Sequence, residues 1–282
     1  MRTRTLQPQY FIYAILALLF IFCYYHTFLW LHYKYSYQDS YYSHGYLIPF
    51  VSAFLIYKKR HVLKRTEISS SSFGLVIIIP ALILHIFATM GDVNFLSGFS
   101  IFLYVLGSSL YLFGKEITKQ IAFPLGFLIL MFPIPGSFID IVGLPLKSLA
   151  TTIGLKISDL MSIPYLREGF KINLADTSLV VGTPCNGMKS LISFITLGLL
   201  LLQFAHIKMW IRIVMLSAIF PLAIFLNGCR IAILVFIANR YGVEKASPES
   251  YFHSLSGLLV FLVGLVFLFG FVKLSESRKR VS

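Results

Sequence analysis

Long apolar runs separated by short polar segments dominate the order of residues along this chain. A bilayer needs about 20 apolar residues for each helical crossing, and the pattern predicts eight crossings, of which the second is short. They fall at residues 10–31, 46–57, 73–90, 98–113, 121–134, 185–206, 211–239 and 254–273. We therefore expect an all-α integral membrane protein with a single polytopic membrane domain over residues 1–282.

Residues 136–184 form the longest stretch without a clear span, and we expect them to be an extracytoplasmic segment. Within it, residues 141–163 predict a small helix at the outer membrane interface. Three charged residues interrupt its apolar pattern: Lys147, Lys156 and Asp159. Residues 167–174 then alternate polar with apolar positions and 178–181 can pair back, which predicts a β-hairpin before the sixth span.

The seventh run is too long for a simple crossing. At 1.5 Å per residue, residues 211–239 would extend about 43 Å, against about 30 Å of hydrocarbon. We expect the helix to tilt, protrude or kink, with Pro221 and Asn227–Gly228 as the places for a kink. Arg230 falls about 28 Å from the start of this helix, near its outer boundary.

Composition agrees with a membrane protein, since 57% of the residues are hydrophobic and only 12% are charged. The net charge of +13 does not indicate a nucleic-acid partner, because the basic residues cluster between apolar runs, as in Lys58–Arg65. This distribution places both termini in the cytoplasm of a plasma (inner) membrane. The three cysteines form neither a disulfide framework nor a metal-ligand pattern, so we expect no cofactor and no metal.

A cysteine precedes the sixth apolar run in a context that favours a thiolate. Thr183 suits a helix N-cap and Pro184 the first helical position, which would place Cys185 in the first turn, where the helix dipole stabilises an anion. Lys189, one turn later, would add positive charge. Cys185 is therefore a candidate nucleophile. The alternative is an inert membrane cysteine beside a lysine that reaches the interface.

Two further residues complete a candidate catalytic set. Counting the crossings places Cys185, Arg230 and His253 at the extracytoplasmic face. A Cys–His pair supplies nucleophile and general base, and a cation stabilises the developing oxyanion or holds a substrate carboxylate. Singly, His253 could be a helix cap and Arg230 an anchor. Cys229 is a rival thiol that we rank below Cys185, because burial opposes its ionisation.

Supporting roles are expected for four more residues. Asn227 lies one helical turn before Arg230 and could orient its guanidinium. Asp39 and His44, in the first outer loop, could supply a carboxylate and an imidazole, although a purely structural loop is an equal alternative. Asn186 follows the candidate nucleophile directly.

These motifs resemble those of a known family. Thr183–Ser190, Asn227–Ile231 and His253–Gly257 are similar to the Cys, Arg and His motifs of the exosortase/archaeosortase family. Three more segments resemble family segments in the expected order: Asp39–Pro49, Phe132–Pro135 and Arg167–Gly169. The resemblance extends over about residues 39–260. Asn186 is a departure, since the family more often has Ser there, which leaves the subfamily open.

The resemblance implies a membrane cysteine protease and transpeptidase-like enzyme. Its partners would be exported proteins with a PEP-CTERM-like signal, which consists of a short motif, a membrane helix and a basic tail. Cys185 would form a thioester that an amine acceptor or water resolves. The lipid bilayer is a further expected partner, and no nucleic acid is expected. The alternative functions are a transporter or flippase and a non-enzymatic export or assembly component, in which Arg230 would serve as an anion site.

Overall fold

The structure is a computed structural model that describes residues 8–37, 40–182 and 187–281. Most of these residues are helical, and the only sheet in the described ranges is small. The chain divides into two compact units, residues 1–134 and 135–282. The single membrane domain that the sequence predicts stays a prediction.

The first unit consists of helices joined by short turns. They are α1 (Pro8–Cys23), α2 (Tyr25–Ser36), α3 (Leu47–Lys58), α4 (Arg60–Leu63), α5 (Phe73–Met90), α6 (Asn94–Gln120) and α7 (Ala122–Phe127). Two 3₁₀ turns accompany them, Ser43–Tyr46 before α3 and Leu128–Met131 after α7. The most extensive packing in this unit joins α5 to α6.

The predicted first span, residues 10–31, is bent by 62° between α1 and α2. The break falls at Tyr24, which is fully buried and forms a 3.0 Å hydrogen bond between its hydroxyl and that of Ser100. A helix break leaves backbone carbonyls without helical partners. His85 of α5 compensates here, because its Nε2 lies 3.1 Å from the carbonyl oxygen of Cys23, which can only accept. The bend is therefore held by polar contacts, which hydropathy does not reveal.

Two predicted spans of the first unit are short helices. The helix α3 has 12 residues, about 18 Å of length, and α7 ends at Phe127 before a 3₁₀ turn. They pack against each other. Neither crosses about 30 Å of hydrocarbon as a single helix, so the count of eight spans stays a prediction.

The second unit contains the remaining helices and the sheet. Its helices are α8 (Gly136–Leu160), α9 (Met188–Phe204), α10 (Met209–Tyr241), α11 (Val243–Ala246) and α12 (Tyr251–Val281). Among the described residues, five helices are long and apolar enough to cross a membrane: α5, α6, α8, α10 and α12. The bent pair α1–α2 makes a sixth where it is counted as one span. The protein is thus a helical, multi-pass membrane protein.

The long helix α8 differs from the expected interfacial helix at 141–163. It begins earlier, at Gly136, and its 25 residues are long and apolar enough for a crossing despite its charged side chains. It packs closely on α10, because glycines face each other where the helices meet. A Cβ added at Gly154 would lie 2.9 Å from the backbone oxygen of Gly228, so the two backbones approach to a distance that larger residues do not permit.

The helix α10 runs without a break over 33 residues. Pro221 lies inside it, and Asn227 and Gly228 are helical and buried. The helix therefore continues through all three positions, and a kink at them stays a prediction. We attribute its continuity to tertiary packing, since α8, α9 and α12 all contact α10. Its length of about 50 Å exceeds the hydrocarbon thickness, so its ends protrude or the helix tilts.

The segment between α8 and α9 forms a three-stranded antiparallel sheet in place of a two-stranded hairpin. The strands are β1 (Leu166–Glu168), β2 (Lys171–Asn173) and β3 (Ser178–Val180), in the order β1-β2-β3. The single predicted strand at 167–174 is divided because Gly169, at φ +64°, turns the chain between β1 and β2. Buried residues of the sheet pack on α8 and α10 in one apolar core.

Candidate active site

The segment that contains the candidate nucleophile lies outside the described residues. Cys185 and Asn186 belong to it, and Asp39 of the first outer loop also lies outside the described ranges. The following helix α9 begins at Met188, with Gly187 as its N-cap at φ +77°. The start of the predicted sixth span, 185–206, and the expected N-cap at Thr183 with Pro184 after it lie outside the described residues. From Met188 onwards the predicted span is helical in the structure, and α9 ends at Phe204.

Arg230 of α10 and His253 of α12 lie together in the structure. The Nη2 atom of Arg230 donates a hydrogen bond to the backbone carbonyl of His253 at 3.4 Å. This distance is long for a hydrogen bond, so this contact is a weak one. The two residues are 23 positions apart in the sequence, and the packing of α10 against α12 brings them together.

A glycine of α12 provides the space for the guanidinium. A Cβ added at Gly257 would lie 3.2 Å from Nη2 of Arg230, which is tighter than an ordinary contact. Ser256 donates from its Oγ to the same His253 carbonyl at 2.8 Å. We predicted no role for either residue from the sequence. A role is indicated by their spacing, since they follow His253 by three and four residues, which is one helical turn.

The imidazole of His253 is oriented by a backbone contact. Its Nδ1 lies 3.2 Å from the carbonyl oxygen of Ala246, at the end of α11, and the side chain is buried. A carbonyl oxygen only accepts, so Nδ1 must donate this hydrogen bond. In the neutral ring the other nitrogen, Nε2, is then the proton acceptor. This is the tautomer that a general base requires at Nε2.

A small cleft lies beside this histidine. Nine of the described residues line it, and all of these except the histidine are apolar or glycine: Leu179, Val180, Val181, Gly182, Ile231, Leu234, Ala246, Pro248 and His253. It encloses about 360 Å³ of empty space, counting the part open to solvent. Its wall includes Gly182, which is three residues before Cys185. In sequence, the candidate thiol therefore follows closely after the lining of the cleft that contains the candidate base.

Asn227 is buried and lies close to Gly187, the residue that follows segment 183–186. A Cβ added at Gly187 would lie 3.3 Å from its side-chain nitrogen, Nδ2. The two residues also line a second small cavity, with Leu191 of α9 and Ala223 of α10. The residues on both sides of the undescribed segment 183–186 thus contact elements of the same site. The orientation of Arg230 by Asn227 stays a prediction.

The remaining predicted residues are placed as follows. Cys229 is partly buried in α10 and adjoins Arg230 in sequence. His44 belongs to the first unit, where its ring stacks on that of Tyr42 with centroids 6.1 Å apart. Burial lowers the pKa of His44. Within the described ranges, no group of three His, Cys, Asp or Glu side chains has the proximity that a metal site needs.

Comparison with known families identifies the class of protein. A family model described as transmembrane exosortase matches residues 30–270, which is most of the chain. The chain therefore belongs to the transmembrane exosortase family. No curated protein and no solved structure matches it.

Proposed function

We propose that this chain is a membrane cysteine protease and transpeptidase-like enzyme that cleaves C-terminal sorting signals of exported proteins. The signals are PEP-CTERM-like, with a short motif, a membrane helix and a basic tail. Cys185 is the nucleophile, His253 the general base and acid, and Arg230 the electrostatic stabiliser. The observation that carries the proposal is the meeting of Arg230 and His253 beside a cleft whose wall reaches Gly182.

The proposed chemistry proceeds in two steps through a thioester. In the first, Nε2 of His253 takes the thiol proton as the sulfur of Cys185 bonds to the scissile carbonyl carbon. Arg230 stabilises the negative charge on the carbonyl oxygen. The carbon–nitrogen bond then breaks, and the C-terminal fragment leaves as an amine that receives the proton from His253.

In the second step, water or an acceptor amine attacks the thioester carbonyl. His253 removes a proton from the attacking group and returns it to the sulfur as the thiol leaves. The donation from Nδ1 to the Ala246 carbonyl supports this role, since it keeps the acceptor lone pair of the neutral ring at Nε2 throughout. Hydrolysis and transfer differ only in which nucleophile enters.

We also propose that the chain crosses the membrane eight times, with both termini in the cytoplasm and the active site at the extracytoplasmic face. The placement of basic residues between apolar runs supports this topology. An outer-face site is where the cleavage motif of the substrate would emerge from the bilayer. Asn186, Asp39 and His44 are proposed as supporting residues on that side.

The test compares exported proteins by intact mass in cells that contain the wild-type chain or a Cys185→Ala variant. Cys229→Ala is the matched control, since it removes another thiol of the same unit. We expect Cys185→Ala to accumulate full-length substrate and Cys229→Ala to process it normally. A membrane-impermeant maleimide applied to the outer face should also stop processing in the Cys229→Ala variant.

Normal processing by Cys185→Ala would refute the thiol mechanism. It would favour a transporter, a flippase or an assembly component, for which Arg230 binds an anion. The transporter hypothesis drew on a broken helix around Arg230, but α10 is continuous there. No structural observation therefore favours it.

A further inference from the structure

The strand β3 has an open edge along the cleft that contains His253. It pairs with β2 on one side only, and no other strand pairs with it among the described residues. Four consecutive residues, 179–182, line the cleft. Consecutive side chains of an extended chain point to opposite faces, so all four residues can line the cleft only if their backbone atoms contribute to its wall.

The register of the sheet determines which backbone groups point to this edge. Val181 donates its N–H to the carbonyl of Phe170 at 2.9 Å, so these residues form a hydrogen-bonded pair. Antiparallel pairs alternate between hydrogen-bonded and non-hydrogen-bonded. The next pair, Lys171 opposite Val180, is therefore non-hydrogen-bonded. The N–H and C=O of Val180 consequently point away from β2, towards the open edge.

An unpaired strand edge presents donors and acceptors in the spacing of another strand. Across the cleft the lining side chains are apolar, including Ile231, Leu234 and Pro248, and His253 is the one ionisable group among the described residues of the lining. An apolar side chain that enters the cleft would be removed from water there. The occupant that suits this edge is therefore an extended stretch of peptide with an apolar side chain directed into the cleft.

We propose that the substrate polypeptide binds as an additional strand on the open edge of β3, pairing with Val180. This rests on the proposed function and specifies how that site recognises its substrate. The bound stretch is the extended segment that precedes the membrane helix of the substrate. Strand pairing places this backbone beside His253 and Gly182, so the scissile bond is positioned by main-chain hydrogen bonds as well as by side chains.

The first test removes the donor at the edge. Val180→Pro deletes the outward N–H and leaves the pairing of its neighbours with β2, because their own N–H groups make those bonds. Val180→Thr is the matched control, since it keeps the N–H and the β-branched shape. With a substrate identified by the mass comparison, we expect Val180→Pro to have a KM about tenfold above that of Val180→Thr, with little difference in kcat between the two variants.

A second test leaves the enzyme unchanged. Synthetic substrates with the cleavage segment and its helix are N-methylated at one residue at a time before the cleavage site. Pairing with a strand predicts sensitivity at alternate residues, because only every second N–H points to β3. Sensitivity at alternate residues supports the proposal even if Val180→Pro is unstable, and equal tolerance at all of them overturns it.

Different results would refute the proposed function and the strand pairing. Normal processing by the Cys185→Ala variant refutes the proposed function. Processing that depends on Cys185 but is indifferent to Val180→Pro and to N-methylation overturns only the strand pairing. Binding is also measured without turnover, by photo-cross-linking the substrate to a benzophenone residue at position 180 in the Cys185→Ala background. Capture at that position supports the pairing, and its absence argues against it.

Discussion

Replacement of Arg230 separates its catalytic role from a structural one. In the structure, its guanidinium makes a long 3.4 Å contact to the His253 carbonyl and lies over Gly257. That carbonyl also accepts a 2.8 Å hydrogen bond from Ser256, so it keeps a partner when Arg230 is replaced. We therefore expect Arg230→Lys to fold with a melting temperature close to that of the wild-type protein.

The expected effect on the reaction is much larger. Two unit charges 4 Å apart interact by about 4 kcal/mol at the effective dielectric of a partly exposed site. Loss of one donor to a developing oxyanion typically costs about 10²–10³-fold in kcat. Arg230→Ala should lose at least that much. Arg230→Lys keeps the charge but not the planar fork, and should lose about tenfold or more.

The assay is the rate of conversion of a processed substrate in membranes with equal amounts of each variant. Arg240→Lys is the control, because Arg240 is an exposed residue near the end of the same helix. It should process at the wild-type rate. If Arg230→Lys is fully active and Arg230→Ala lies within tenfold of wild type, the electrostatic role is refuted and Arg230 is an anchor.

Two predictions concern stability. Gly154→Ala should destabilise the protein by about 1–3 kcal/mol, since its Cβ would lie 2.9 Å from a backbone oxygen of α10. Gly126→Ala is the control, because a Cβ there meets nothing within 4 Å, and it should have little effect on the melting temperature in detergent. Burial lowers the pKa of His44, so the unfolded chain binds a proton more readily, and stability should fall as the pH drops below about 6.5. His44→Gln should weaken that dependence in melting curves between pH 5 and 8, and an unchanged slope would contradict the reasoning.

The helical content and the approximate position of most helices follow from the sequence. Apolar runs of sufficient length must be helical in a bilayer, because every backbone polar group then bonds within its own segment. The predicted third span and the helix α5 have the same bounds, residues 73–90. The seventh prediction, 211–239, differs from α10 by only two residues at each end.

The structure departs from the hydropathy pattern where long-range contacts or single backbone conformations decide. The bend at Tyr24 depends on His85 and Ser100, which are distant in sequence. The N-cap of α9 depends on the left-handed conformation of Gly187, and the third strand of the sheet depends on that of Gly169. A hydropathy pattern contains no information about either conformation, because both depend on what surrounds the glycine.

The candidate site also depends partly on the residue order and partly on the packing of the helices. The order of residues makes the two residue types available, with His253 at the start of the last helix and Arg230 late in the predicted seventh span. Their meeting, the contact of Ala246 with the imidazole and the space that Gly257 leaves for the guanidinium are visible only in the folded chain. Contacts between helices depend on how the helices pack and rotate, and the period of apolar residues constrains both only loosely.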